Sequence, residues 1–152
     1  MSNWITITAD HLKAAGQGFL VDKARTTATG GIDPVDYEIG AVTARIRRCV
    51  AGGGNMLDSN PQKIPNSLLS VATNIIVWGL MGRIRFPLSE DQRKQRDTDE
   101  SDLKRVADPK ISTPIETPDD PAGTAEMETP TPGPRIMPRT HRQFTRETED
   151  GA

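Results

Sequence analysis

The most regular hydrophobic pattern in the chain predicts an amphipathic helix over residues 34–50. Asp33 supplies a capping side chain, Pro34 suits the first helical position, and the glycines of residues 52–54 end the helix. Apolar residues recur at spacings of three or four, which places them on one face: Val35, Ile39, Val42, Ile46 and Val50.

A second apolar segment predicts a helix from Pro65 to Arg85 that is apolar almost all round. Such a helix lies at the centre of a bundle or also touches a neighbouring subunit. Its broad apolar face comprises Leu68, Leu69, Ala72, Ile75, Ile76, Leu80 and Ile84, and it is widened by Val71, Val77, Trp78 and Met81. We expect the centre of the core to contain Ile75, Ile76, Leu80, Val42 and Ile46.

The segments on either side are more polar. Ser89 and Gln92 have the spacing of a capping box, which predicts a highly charged helix up to about Ala107. Only Leu103, Val106 and Ala107 are expected to be buried there. Near the N-terminus, the alternation from Trp4 to Ile7 predicts a short strand or an extended arm. A short helix is then predicted at 9–15, ended by Gly16, and residues 17–34 are predicted to be a loop with at most a helical turn.

The periodic pattern ends at Asp108, and eight of the twelve prolines follow it. We therefore predict an all-α fold: a small helical bundle of about four helices over residues 1–108, with a long proline-rich arm, extended or disordered, over 109–152. Within the arm, residues 135–146 carry four arginines and no acid. Apolar and basic residues of this arm are the candidate contacts to a partner: Ile136, Met137, Arg139, Arg142, Phe144 and Arg146.

No catalytic, metal-binding or cofactor-binding residues are predicted, so we expect that the protein is not an enzyme and has no cofactor. The two histidines, His11 and His141, lie near opposite ends, and Cys49 is the single cysteine. No signal peptide is visible, and the longest apolar run is too short to cross a bilayer, so no membrane partner is expected.

Three arginines in one helix are a weak candidate for non-specific contact with DNA phosphates. Arg45, Arg47 and Arg48 lie close together, but such residues also form solvated faces or pair with acids of a neighbour. The net charge of −2 gives no overall attraction to nucleic acid. A small helical DNA-binding or regulatory module therefore stays open as an alternative function.

The order of these segments resembles the head–tail connector (adaptor) proteins of tailed bacteriophages, especially the Mu-type prophage branch. The similarity rests on the helix after Asp33–Pro34, on Ile64–Pro65 at the start of the apolar helix, and on Arg83 or Arg85 at its end. A polar helix and the segment "ISTP" follow in the same order. The resemblance covers about residues 4–118, while the proline-rich tail is long for the family.

The resemblance implies a structural protein of the virion that forms a ring, a dodecamer, at the portal in the neck between head and tail. Such a ring continues the DNA channel and presents a docking surface for a tail or neck completion protein. It would be assembled in the host cytoplasm and could contact packaged DNA non-specifically. The implied partners are therefore the portal protein, the completion protein and further copies of the chain itself.

Overall fold

The computed structural model describes residues 2–111 and 113–122 and is predominantly helical, which confirms the predicted helical class. The helices are α1 (Ala9–Leu12), α2 (Gly18–Thr26), α3 (Pro34–Gly52), α4 (Leu69–Arg83) and α5 (Glu90–Ala107). A π-helical segment, Lys13–Gln17, joins α1 to α2, and a 3-10 turn, Asn66–Leu68, precedes α4. Two short antiparallel strands, β1 (Trp4–Thr6) and β2 (Lys63–Pro65), pair Trp4 with Pro65.

Helices α3, α4 and α5 form the main bundle, and their contacts fix their directions. Arg83, at the end of α4, pairs with Glu38 near the start of α3, so these two helices are antiparallel. Arg45 of α3 pairs with Glu100 of α5. A Cβ on Gly52 would touch Ala107, so α3 and α5 run parallel and end side by side.

The predicted centre of the core is confirmed. All five of its residues are buried, and Ile46, Ile76 and Leu80 have no exposed surface. Helix α4 is the central helix of the bundle, and its other apolar faces are also covered, since Val71, Val77 and Met81 are buried. Of the two explanations for a helix that is apolar all round, burial inside its own chain accounts for most of its surface.

The capping signals of α3 and α5 are both used as predicted. The Asp33 carboxylate accepts a hydrogen bond of 2.8 Å from Val35 N, and Ser89 with Gln92 forms a capping box. Hydrogen bonds from Val35 N and Arg25 lower the pKa of Asp33, and they outweigh burial, the largest single contribution, which raises it.

The charged helix α5 buries one residue that the sequence did not indicate. Leu103 and Val106 are buried as expected, but the carboxylate of Asp99 is buried as well. It accepts hydrogen bonds of 3.0 Å from Asn74 Nδ2 of α4 and 2.9 Å from Gln95 Nε2 one turn earlier. Amide donors thus stabilise a carboxylate on a face that was expected to be solvated.

The prediction of a loop over residues 17–34 is wrong for its first part, which forms α2. Leu20, Val21 and Ala24 lie on one face of this helix and are buried against the rest of the core. This apolar stripe is only two turns long, so its stability depends on tertiary contacts rather than on local propensity. Gly16 does end the preceding helix, with φ of 78°, which turns the chain into α2.

Residues 113–122, which we call the strap, form no helix or named strand. The strap belongs to the sequence-predicted arm of residues 109–152, and the proposed boundary after residue 108 stays a prediction. Residues 123–152 lie outside the described residues. Among the described helices, none is both long and apolar enough to cross a membrane.

Candidate interaction surfaces

The candidate contacts of the arm lie outside the described residues: Ile136, Met137, Arg139, Arg142, Phe144 and Arg146. Their role as contacts to a portal or a neighbour stays a prediction. Among the described residues, the candidate interaction surfaces are the three arginines of α3, the two ends of the bundle, and the surface that the strap contacts.

The structure does not bring Arg45, Arg47 and Arg48 together as one basic surface. Arg45 forms an ion pair with Glu100, which lowers the pKa of that glutamate chiefly through the hydrogen bond between them. Arg48 is exposed and has no hydrogen-bond or ion-pair partner among the described residues. Of the three, Arg48 has the side chain most available to an external phosphate.

Arg47 holds the loop between α3 and β2. Its guanidinium donates to three backbone carbonyls, those of Asp58 at 2.7 Å, Lys63 at 2.8 Å and Asn60 at 2.9 Å. It also lies 5.8 Å from the ring centre of Trp4, within cation–π range. Burial lowers the pKa of Arg47, and the nearby Asp58 carboxylate opposes that shift. An arginine used in this way fixes a loop by its planar fork of donors.

Within this loop, Asp58 has a buried carboxylate with a nearby cation. Its Oδ1 accepts from Asn60 N at 3.0 Å, while Oδ2 has no hydrogen-bond partner in the described structure. Lys63 Nζ lies 3.8 Å from Oδ2, which is an ion pair rather than a hydrogen bond. The loop is thus organised around internal charges.

The first exposed apolar surface, which we call the leading patch, lies at the start of α3. It consists of Ile32, which is 72% exposed, and Tyr37, which is 55% exposed. The Arg83 guanidinium sits 4.9 Å from the centre of the Tyr37 ring, and its Nε is 2.6 Å from Glu38 Oε1. Beside them, the glycine-containing loop at 27–34 lines an open cavity of about 650 Å³.

The second exposed apolar surface, the trailing patch, lies beyond the opposite end of α3. Met56 is 65% exposed and follows the glycines that end α3. Ile111, which is 47% exposed, follows the end of α5, and that helix ends beside Gly52. With 19 residues, α3 is about 28 Å long, and the two patches lie at its opposite ends.

The strap lies on a surface of the domain that we call the seat. The seat is formed by β1, the loop before β2 and the start of the 3-10 turn. Trp4 Nε1 donates to the Glu116 carbonyl at 2.9 Å. The Glu116 carboxylate accepts from Ser67 N at 3.0 Å and from Ser67 Oγ at 2.7 Å. Ile115 packs against the core, and Pro118 is buried.

The second half of the strap pairs with the chain at 57–59 in the manner of an added strand. Ser59 N donates to the Asp120 carbonyl at 2.7 Å, and Ala122 N donates to the Leu57 carbonyl at 2.6 Å. Between these bonds, Asp58 and Pro121 form an antiparallel bridge. Backbone hydrogen bonds thus hold the second half of the strap to the loop before β2.

Acidic side chains of the strap meet hydroxyl and amide donors. Asp119 accepts from the hydroxyl of Ser2 and, at 3.5 Å, from Asn3 N, while Asp120 accepts from the hydroxyl of Ser59. The Ser2 hydrogen bond is the main cause that lowers the pKa of Asp119. The sequence does not indicate this seat, because its donors (backbone amides, hydroxyl groups, the Trp4 indole and the Asn3 amide) lie far from the strap in the chain. Trp4 and Glu116 carry no short-range signal of their contact.

Comparisons of the chain with protein-family models, with curated proteins and with solved structures found no match in any of the three.

Proposed function

We propose that the protein is a structural connector of a tailed bacteriophage, which forms a ring at the portal in the neck and joins head to tail. The sequence order described above, from Asp33–Pro34 to the "ISTP" segment, supports the class. The observation that carries the ring is the position of the leading and trailing patches at opposite ends of α3.

Two different surfaces at opposite ends favour head-to-tail association. If the leading patch of one subunit contacts the trailing patch of the next, the contact is heterologous, and heterologous contacts form a ring when the rotation closes. An isologous dimer would instead use one patch twice. In such a ring, Ile32 and Tyr37 would lie against Met56 and Ile111 of the adjacent copy, and each pair would cover apolar surface that a monomer exposes.

A mixing experiment tests this arrangement. Ile32→Asp disables the leading patch, and Met56→Asp disables the trailing patch. Either variant alone should fail to form rings on the parent phage's portal. A 1:1 mixture should give dimers, since one intact pair of patches remains between the two variants. Native mass spectrometry and electron microscopy with the portal measure both results.

Phe19→Asp is the matched control, because Phe19 is exposed to the same extent as Ile32, 72%, but lies on α2. It should leave the ring intact. If the wild-type chain stays monomeric both alone and with the portal, the ring is wrong. The wider role has its own test: phage made without this protein should accumulate DNA-filled heads that lack tails, and normal tailed particles would exclude it.

A further inference from the structure

The strap contains a short motif that occurs a second time further along the chain. Ile115–Pro118 has the sequence Ile-Glu-Thr-Pro, and Met127–Pro130 has the sequence Met-Glu-Thr-Pro. The two motifs share glutamate, threonine and proline, and each begins with an apolar side chain. They are offset by twelve residues, as counted from Glu116 to Glu128.

The structure shows what each position of the first motif does. The apolar residue Ile115 packs against the core, and the buried Pro118 ends the motif. The Glu116 carboxylate receives two donors from Ser67, and its carbonyl receives the indole N–H of Trp4. The Thr117 carbonyl accepts from Asn3 Nδ2 at 3.3 Å. Contacts to the peptide backbone do not depend on the side chain. The apolar residue, the glutamate and the proline are therefore the positions that determine which sequence the seat binds.

A related segment that overlaps the start of the strap lacks the glutamate. Residues 111–114 have the sequence Ile-Ser-Thr-Pro, with serine in place of glutamate. The Ile111 side chain is half exposed, whereas Ile115 is packed against the core. A carboxylate that accepts both Ser67 donors distinguishes the seated motif from this neighbour, since charge-assisted hydrogen bonds are the stronger kind.

We propose that the seat formed by Trp4, Ser67 and the loop at 57–59 is a binding site for extended peptides of the form apolar-Glu-Thr-Pro. Its second ligand is Met127–Pro130 of the same chain. The tail would then occupy the seat in two registers, twelve residues apart. The inference does not require a ring, so it can stand or fail separately from the proposed function.

The same chain is the favoured source of the second motif. Residues 108–126 link α5 to Met127, and a tether of that length gives an effective concentration of about 1 mM. In a solution at about 1 µM protein, the motif of another molecule is therefore disadvantaged by about 10³. Extended chain spans up to about 3.3 Å per residue, so the tether is long enough to bring Met127 to the position of Ile115.

The first register should dominate in the isolated protein, because it makes contacts that the second cannot. Asp119 and Asp120 accept hydrogen bonds from Ser2, Asn3 and Ser59. Twelve residues later stand Thr131 and Pro132, which have no carboxylate. Ala122 N donates to Leu57, whereas Pro134 has no N–H to donate. Weakening the binding of the first motif should therefore increase the fraction of molecules in which the second motif occupies the seat.

The register would set how the basic part of the tail is presented. In the observed register, the described chain leaves the seat at Ala122. After a shift of twelve residues, Pro134 would take the position of Ala122, so that the arginine-rich residues 135–146 would follow directly after the seat. A partner that binds those arginines would therefore be coupled to the seat.

Peptide binding tests recognition. The probe is a fluorescent peptide of residues 125–132, and its matched control carries alanine in place of the glutamate equivalent to Glu128. The receptor is the full chain with Glu116→Ala, which weakens the first motif. We expect anisotropy to show binding at least about tenfold tighter than for the control peptide or for the wild-type chain, in line with the loss of one charge-assisted contact. Equal affinity for both peptides would overturn the proposal.

Cross-linking tests the register within one chain, in a Cys49→Ala background. Ser59→Cys with Asp120→Cys should form a disulfide, because these residues face each other across the antiparallel contact. Ser59→Cys with Pro132→Cys reports the second register and should link faster after Glu116→Ala. Ser59→Cys with Ala125→Cys is the offset control. The expected product is a monomer with an internal loop. A link at 132 no faster than at 125, or one found only between molecules, would contradict the proposal.

Discussion

The indole Nε1 of Trp4 donates a 2.9 Å hydrogen bond to the backbone carbonyl of Glu116, 112 positions later in the chain. Trp4 also pairs with Pro65 across the small sheet and lies against Arg47. One buried side chain thus connects the first strand, the loop before α4 and the strap. The domain therefore depends on residues that lie beyond its last helix.

Replacing Trp4 with phenylalanine should release the strap with little damage to the bundle. An aromatic ring is retained, but the Glu116 carbonyl loses its donor, which costs about 1 kcal/mol. Hydrogen exchange should show faster exchange at the amides of Ser59 and Ala122, which are bonded to the strap or belong to it. Amides of α4 should keep their protection. Unchanged exchange at Ala122 would show that Trp4 does not hold the strap.

Replacing Arg47 with lysine should destabilise the fold by about 2 kcal/mol. Lysine is a compact donor that cannot serve the carbonyls of Asp58, Asn60 and Lys63 together, and carbonyls left without a donor are costly where they are partly buried. Arg48→Lys, on the exposed side of the same helix, should change stability by less than about 0.5 kcal/mol. Urea unfolding measures both, and equal midpoints would argue against the loop-holding role.

Two glycines, one inside α3 and one just after its end, should respond oppositely to alanine. A Cβ at Gly53 would overlap the Val106 carbonyl oxygen, a backbone atom that cannot move aside cheaply. We expect Gly53→Ala to cost about 1–3 kcal/mol through overpacking. A Cβ at Gly40 would meet no neighbouring group within 4 Å, and this residue lies inside the helix, so Gly40→Ala should stabilise by up to about 1 kcal/mol. Thermal unfolding of both variants checks the sign.

The core assignment has a direct test in Ile76 and Arg93. Ile76 is fully buried, so Ile76→Asp should abolish soluble protein because an unpaired buried carboxylate is expensive. Ile76→Val is the milder variant and should cost about 0.5–1.5 kcal/mol. Arg93 is exposed on α5, and Arg93→Ala should have little effect. Similar losses from Ile76→Val and Arg93→Ala in a denaturant titration would refute the assignment of helix faces.

The Arg45–Glu100 pair should make stability depend on pH in the acid range. Its hydrogen bond with Arg45 lowers the pKa of Glu100 below the ordinary value of 4.5. A lowered folded-state pKa means that the stabilising contribution is present above pH 4.5 and is lost as pH falls through the folded-state pKa. A double-mutant cycle with Arg45→Met and Glu100→Gln should give about 0.5 kcal/mol at neutral pH. The coupling should disappear in acid; a coupling that persists there would contradict an ionic origin.

The sequence predicted those features whose signals are local. The spacing of Val42 and Ile46, the cap at Asp33 and the capping box at Ser89 each lie within one helix, so the positions of α3 and α5 followed from them. The burial of Ile76 followed from the same periodicity.

The features that the sequence did not reveal depend on partners distant in the chain. Asp99 is buried because Asn74 of another helix donates to it, and nothing beside Asp99 in the sequence indicates that contact. Helix α2 is stabilised by packing against the core, and its apolar stripe of two turns is too short to predict a helix from the sequence. Arg47 is an arginine like Arg45 and Arg48, so the sequence does not distinguish it. Its carbonyl partners come together only in the folded loop.

The contact between the two ends of the domain also constrains the order of events during synthesis. Trp4 leaves the ribosome early, while Glu116 and Ala122 emerge only after α1 to α5 have been made. The nascent chain can form its helices first. The hydrogen bonds of Trp4 and Leu57 at the edge of the domain form only after the strap has been synthesised. Closing so long a loop is the slow kind of folding step. Translation that stops before the strap would therefore leave a nascent domain with its bundle formed and this edge open.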